Sequence, residues 1–153
     1  MNRLAPLEQS AWGGFLATHA LLWRTMEKRL SASGLSMTDY DVLVALEGAG
    51  AQGARMSDLA VRTLMSSGGF TRLADRLARQ GLIERRPCET DGRGYFAVIT
   101  TEGRRVLRRA RKTHLEDVRE LFLSQLSDED MRRLADTWER VRAAALGDGP
   151  PSA

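Results

Sequence analysis

Residues 55–99 read RMSDLAVRTLMSSGGFTRLADRLARQGLIERRPCETDGRGYFAVI, and four local patterns follow one another in that stretch. Ser57 or a neighbour caps a short helix with Leu59, Ala60 and Leu64 inward. Ser66 caps the next helix, in which Phe70, Leu73, Ala74 and Leu77 recur at i, i+3, i+4 and i+7 and so share one dry face. Arg72, Arg76 and Arg79 fall on the opposite face, with Thr71 beside them. Gly81 stops this helix at its C′ position. Leu82–Arg86 and Tyr95–Thr100 then read as two short strands. Their connection carries Asp91-Gly92, a strong local hairpin signal, within a tip of Asp91-Gly92-Arg93-Gly94.

Helix, tight turn, helix and charged hairpin is the order of parts in a winged helix-turn-helix. A helix fits the major groove of DNA, and an arginine on a thin loop fits the minor groove. The charge distribution agrees. Residues 55–112 hold 14 Lys/Arg against 6 Asp/Glu, a net of +8, whereas the remainder holds 9 against 14, a net of −5. Clustered cations answer a polyanion, because each phosphate contact releases condensed counterions.

Working toward the N-terminus, Thr38 with Asp41 three residues on resembles a capping box for a helix that buries Tyr40, Leu43, Val44, Ala45 and Leu46. Gly48 to Gly53 reads as a flexible link. It matches G-x-G-x-x-G literally, and Asp75 lies about 20 residues further on, as in the dinucleotide-binding fingerprint. No β-α-β units follow it, so the match is read as a link between helices. Before it, Trp12, Phe15, Leu16, His19, Leu22, Trp23, Met26 and Leu30 form one apolar stripe on a helix of about five turns, ended by Ser33-Gly34.

Toward the C-terminus, Thr100 caps a long helix. Its apolar positions Val106, Leu107, Ala110, His114, Leu115, Val118, Leu121, Phe122 and Leu126 predict about six turns. Ser127-Asp128-Glu129-Asp130 is an acidic helix start suited to the positive end of the dipole. Met131, Leu134, Ala135, Trp138, Val141 and Ala145 stripe the last helix. Residues 147–153 read as a flexible Gly/Pro tail. The expected fold is mainly α with a small β-hairpin wing. A single domain over 1–153 holds a winged helix-turn-helix lobe at about 38–100. Dimerisation helices lie at about 5–32 and 101–146, because long one-sided stripes are buried best against a second copy.

The chain's 153 residues suffice for one domain with a core. No apolar run approaches the roughly 20 residues that span a bilayer. Met1 to Ser10 carries Pro6, Glu8 and Gln9 and makes a poor secretion signal. The single cysteine, Cys88, precludes an internal disulfide framework and fits a reducing cytoplasm. No Walker motif, nucleophile elbow or H-E-x-x-H is present, so an enzyme is not expected.

The run from Ser66 to Arg86, followed by Asp91-Gly92-Arg93 and by Thr100-Thr101-Glu102-Gly103-Arg104, resembles the MarR family (multiple antibiotic resistance regulators) of bacterial transcription regulators. The resemblance covers about Leu7 to Leu146. It implies a helical homodimer with two winged lobes, no cofactor, and a double-stranded, palindromic DNA operator as partner. It also implies a repressor that is often released by a small aromatic or phenolic effector or by oxidation. Carried over by position, Ser66, Ser67, Gly68, Gly69, Thr71 and Arg72 open the recognition helix toward the major groove. Arg76 meets backbone phosphate, and Arg93 enters the minor groove with Asp91 bracing it. Gly68-Gly69 departs from the family, which more often has polar side chains there. Bare first-turn N–H groups can approach a phosphate closely, which leaves base readout to Thr71 and Arg72.

Trp12, Phe15, His19, Trp23 and Tyr40 are candidates for the walls of an effector pocket, with plain core or interface packing as the simpler reading. His19 and His114 divide in the same way, and their spacing supports no metal site. Cys88 is a candidate redox sensor, since Arg85 and Arg86 could lower its pKa. The rival readings are an architectural, non-specific DNA-binding protein and a module whose basic surface meets an acidic protein.

Overall fold

A computed structural model of the chain describes residues 3–63, 65–88 and 91–147, with the backbone alone described at 88 and 91–94. The chain divides into two compact units, Met1–His114 and Leu115–Ala153. Six α-helices are described: α1 (Pro6–Leu30), α2 (Met37–Gly48), α3 (Met56–Arg62), α4 (Ser67–Arg79), α5 (Thr101–Leu121) and α6 (Asp128–Leu146). Three strands, β1 (Ala54–Arg55), β2 (Ile83–Cys88) and β3 (Asp91–Ile99), form an antiparallel sheet in the order β1-β3-β2. This is the mainly helical, winged architecture expected, with one strand more than the sequence revealed. None of the described helices is long and apolar enough to cross a membrane.

The core of the first unit is built from short local patterns. Leu43 and Leu46 of α2, Leu59 of α3, Phe70, Ala74 and Leu77 of α4, Ala97 and Ile99 of β3, and Leu107 and Ala110 of α5 are all buried. Leu64, expected inward from α3, lies outside the described residues. Two glycines allow the pieces to close. Gly53 has φ +71°, and a Cβ there would lie 2.2 Å from the Ala97 carbonyl oxygen, so only glycine lets β1 reach β3. A Cβ on Gly103 would lie 2.1 Å from the Leu82 carbonyl, which fixes the start of α5 at the corner after α4. Gly53 is thus explained by packing.

Several boundaries differ from expectation. Ser36, not Thr38, caps α2: its hydroxyl accepts from the Asp39 N–H at 3.1 Å, and the Asp39 carboxylate accepts from the Ser36 N–H at 2.9 Å. The box therefore lies two residues earlier. Arg55 stands at the N-cap of α3 without a side-chain cap, because the chain enters that helix directly from β1. Ser57 lies inside α3 and donates to Asp58 at 3.2 Å. Asp91-Gly92 is not the turn but the start of β3, with Cys88 paired to Asp91. Finally, α5 stops at Leu121, and a 3-10 turn over Leu123–Gln125 replaces its expected last turn.

In α1 only the end joins the core. Met26 and Leu30 are buried, and the Glu27 carboxylate accepts from the Met37 N–H at 2.7 Å. Leu22 is half-buried and the rest of the predicted stripe is open, with Trp12 56%, Phe15 40% and Leu16 47% exposed. In the second unit, α6 opens on a capping box between Ser127 and Asp130 and buries no residue. Gly147 closes it in the left-handed conformation, and 148–153 of the expected tail lie outside the described residues.

Candidate nucleic-acid interface

Helix α4 is set by its first residue and by one dry face. Ser66 is extended, its hydroxyl accepts from the Gly69 N–H at 3.2 Å, and its carbonyl accepts from the Phe70 N–H at 2.8 Å. That local cap lets a helix begin on two glycines. Phe70, Leu73, Ala74 and Leu77 are buried as the spacing predicts. Ser67, Gly68, Thr71, Arg72 and Arg79 are exposed on the other side. Thr71 donates its hydroxyl to the Ser67 carbonyl at 2.8 Å, which leaves the hydroxyl lone pairs and the methyl group for an outside partner. Arg72 has no ion pair among the described residues.

The two glycines differ. A Cβ on Gly68 meets nothing within 4 Å, so no internal contact requires a glycine there. A Cβ on Gly69 would lie 3.1 Å from the capping Ser66 hydroxyl, a tight fit against the group that starts the helix.

Arg76 does not stand free as an outward cation. Its Nη1 and Nη2 donate to Oδ2 and Oδ1 of Asp39 at 2.9 and 2.7 Å, and that hydrogen-bonded carboxylate raises the guanidinium pKa. The side chain of Arg76 is 41% exposed and that of Asp39 only 1%. The preceding residue, Asp75, pairs with Arg85 of β2. The Arg85 guanidinium also lies 4.8 Å above the Tyr95 ring of β3, a cation–π contact. Adjacent residues of α4 are thus tied to α2 and to the wing.

In the wing, β2 and β3 hold register from Ile83↔Ile99 to Pro87↔Tyr95 and then pair Cys88 with Asp91. The register advances one residue on β2 against four on β3, so Gly92, Arg93 and Gly94 form an unpaired bulge. Arg93 therefore occupies the middle of a bulge between two glycines rather than a turn. The Asp91–Arg93 brace and the chemistry of Cys88 concern side chains outside the described set.

The basic charge is distributed differently from what the segment total suggested. Residues 55–100 hold 8 Lys/Arg against 5 Asp/Glu, a net of +3, and residues 101–112 hold 6 against 1, a net of +5. Within the lobe, Arg76, Arg85 and Arg86 are paired with Asp39, Asp75 and Glu84. At the start of α5, Arg104, Arg108, Arg109 and Lys112 have no ion pair among the described residues. More than half of the excess charge lies on α5, outside the helix-turn-helix.

The five aromatic candidates fall into two places. Trp12, Phe15, His19 and Trp23 form a ladder along α1, with ring centroids 5.8, 6.2 and 5.9 Å apart. Tyr40 is buried on α2 and packs against His114 of α5, with ring centroids 4.6 Å apart and the planes tilted by 44°. Burial pushes the Tyr40 phenol up, while a hydrogen bond with Arg111 pulls it down, and Arg111 pairs in turn with Glu47. Burial likewise raises the Asp41 carboxyl against the opposing charges of His114 and Arg62. An open cavity of about 560 Å³ between α2, β1 and α3 is lined by Val44, Ala45, Leu59, Asp58 and Arg62 among others, and by none of the five. Asp39, Asp75, Arg85, Tyr95 and Arg111 were missed because their partners lie too far along the chain for periodicity to register.

Comparison with known proteins matches residues 33–94 to a model described as the MarR family. The chain is 32% identical to the HTH-type transcriptional regulator PecS of Dickeya dadantii over 79% of its own length and 73% of that protein. Among solved structures it is similar to AbsC, a MarR family transcriptional regulator from Streptomyces coelicolor. The TM-score is 0.86 at 34% identity, covering 96% of this chain and 99% of that one. It is also similar to Sco3205, a MarR family transcriptional regulator of the same organism solved in complex with DNA. That match has a TM-score of 0.86 at 28% identity, covering 100% and 95% of the two chains.

Proposed function

The chain belongs to the MarR family of transcriptional regulators, and from that membership we propose that it is a repressor that binds a palindromic operator as a homodimer. The family is one of regulators rather than enzymes. The observation that carries the proposal is the division of α4 into a fully buried face and an open face of Ser67, Gly68, Thr71 and Arg72. The open face enters the major groove. There the Arg72 guanidinium suits the O6 and N7 acceptors of guanine, and the Thr71 methyl suits thymine. The first-turn N–H groups around Gly68 approach a phosphate. Arg93, carried on the wing bulge with Asp91 bracing it, enters the minor groove, where narrow A·T tracts attract arginine.

Two copies are needed to present two such helices. The open ladder of α1, together with Leu16, supplies an apolar surface that a two-fold partner covers. The recognition helices then reach successive major grooves about 34 Å apart. A small aromatic effector releases DNA if it binds better to lobes set apart than to lobes set for the operator. Tyr40 and the α1 aromatics are the candidate walls for it.

The test is selection from fragmented genomic DNA of the source organism at about 150 mM salt, where purely electrostatic binding is weakened steeply. Recovery of a few fragments that share an inverted repeat is expected. Diffuse recovery would overturn the operator reading in favour of an architectural protein.

A further inference from the structure

Residues 68, 72 and 76 are spaced by four and so form one ridge along α4. Its first member is the open Gly68, its second Arg72, which has no ion pair among the described residues, and its third Arg76, each of whose two terminal nitrogens donates one hydrogen bond to Asp39. Asp39 is itself held in place by its surroundings. It is 1% exposed, belongs to the first turn of α2, and its Oδ2 also accepts from the Ser36 N–H at 2.9 Å. A two-pronged guanidinium–carboxylate pair fixes a plane as well as a distance. A rotation of α4 about its axis would break both prongs and leave a buried carboxylate without its counter-charge, an outcome that is strongly unfavourable.

We propose that Arg76 is a positioning residue for DNA recognition rather than a phosphate contact. Its fork on Asp39 sets the rotation of α4 against the cap of α2 and thereby aims Arg72 and Gly68 on the same ridge. The proposal rests on the reading of α4 as the DNA-contacting helix. It assigns a function to Asp39, a buried residue.

Asp39→Asn and Arg76→Lys separate the two roles, because both keep a cation at position 76. A phosphate contact tolerates both, and loss of Asp39 would free the arginine for it. A positioning fork tolerates neither. Operator affinity is measured across a salt series, together with affinity for unrelated DNA and amide exchange in α4. The expected result is about a tenfold loss of operator affinity in each variant. The salt slope and binding to unrelated DNA stay unchanged, and exchange in α4 is faster.

Where either variant melts below the assay temperature, the Asp39→Asn/Arg76→Gln double variant takes its place, with the same operator loss and an unchanged salt slope expected; a slope lowered by about one overturns the proposal. The proposal is overturned if both single variants bind as wild type while Arg76→Gln lowers the salt slope by about one, the signature of a lost phosphate contact. A wild-type protein that selects no sequence refutes the operator reading instead. The fork is then judged on exchange alone: faster exchange of α4 in Asp39→Asn supports it, and equal rates overturn it.

Discussion

Helices α4 and α1 carry apolar stripes of similar clarity, and the fold treats them in opposite ways. In α4 the stripe is spent inside the chain, with Phe70 1%, Ala74 0% and Leu77 0% exposed. In α1 the stripe is left open along most of the helix, with only Met26 and Leu30 buried at its end. Periodicity marks a face that must be covered; it does not say by what. Where a neighbouring segment supplies the cover, the helix belongs to the lobe. Where none does, the uncovered aromatic rings are the surface proposed to meet a second copy.

Substitution on each face should break this contrast in its own way. Phe70→Ala removes a fully buried ring and should cost about 3–5 kcal/mol, enough to unfold much of a marginally stable lobe. The measurement is thermal or denaturant unfolding followed by circular dichroism. Trp12→Glu combined with Trp23→Glu places charges at positions that are 56% and 39% exposed in the single chain. The lobe should keep its fold, read as unchanged amide exchange in α4, while the mass by light scattering falls from two chains to one and operator affinity falls with it. An unchanged mass would refute α1 as the dimer surface.

The same contrast explains what could be read from the sequence. The dry face of α4, the Ser66 cap and the Thr100 cap, whose hydroxyl accepts from the Gly103 N–H at 2.9 Å, are all written in steps of three or four residues. Local spacing therefore reveals them. The Asp39–Arg76 pair joins residues 37 apart, and no period marks it. Strand β1 has two residues, too few for an alternation to show, and is recognised only through its pairing with Ala97 and Phe96. The segment total of charge was correct, but its attachment to the helix-turn-helix was not. Ion pairs inside the lobe, and the cations of α5 that have none among the described residues, become distinguishable only in three dimensions.

The open face of α4 sharpens the comparison further, because the proposed function has exposure there serve DNA rather than a second chain. Gly68 has nothing within 4 Å of a built Cβ, so Gly68→Ala should stabilise the helix, by up to about 1 kcal/mol and by less in a first turn. The same methyl group would stand between the backbone and the DNA, and operator affinity should fall about tenfold. Gly69→Ala should gain little stability, since its Cβ would crowd the Ser66 hydroxyl at 3.1 Å. A higher melting temperature with undiminished operator affinity in Gly68→Ala would show that DNA does not approach this position closely.

The smallest effect is expected in α6, which resembles the open part of α1 in burying no residue of its own. Without a covered face, the start of such a helix depends on its cap. The Asp130 carboxylate accepts from the Ser127 hydroxyl at 2.6 Å and from the Ser127 N–H at 3.2 Å, and these bonds lower its pKa below the ordinary aspartate value. A carboxyl with a depressed pKa contributes stability above its unfolded pKa and loses it as the pH falls through the lowered folded value. The first turn of α6 should therefore fray on acidification below the ordinary aspartate range, and in Asp130→Ala it should be frayed at neutral pH as well. Amide exchange or residue-resolved NMR of Asp130 and Met131 measures this, because their N–H groups bond to the Ser127 side chain and carbonyl at 3.2 and 3.0 Å. The first turn of α4 should show no such cap-linked fraying, since its cap is an uncharged serine. Equal acid sensitivity at the starts of both helices would mean that the lobe as a whole loosens. The distinction between a covered helix and a capped one would then fail.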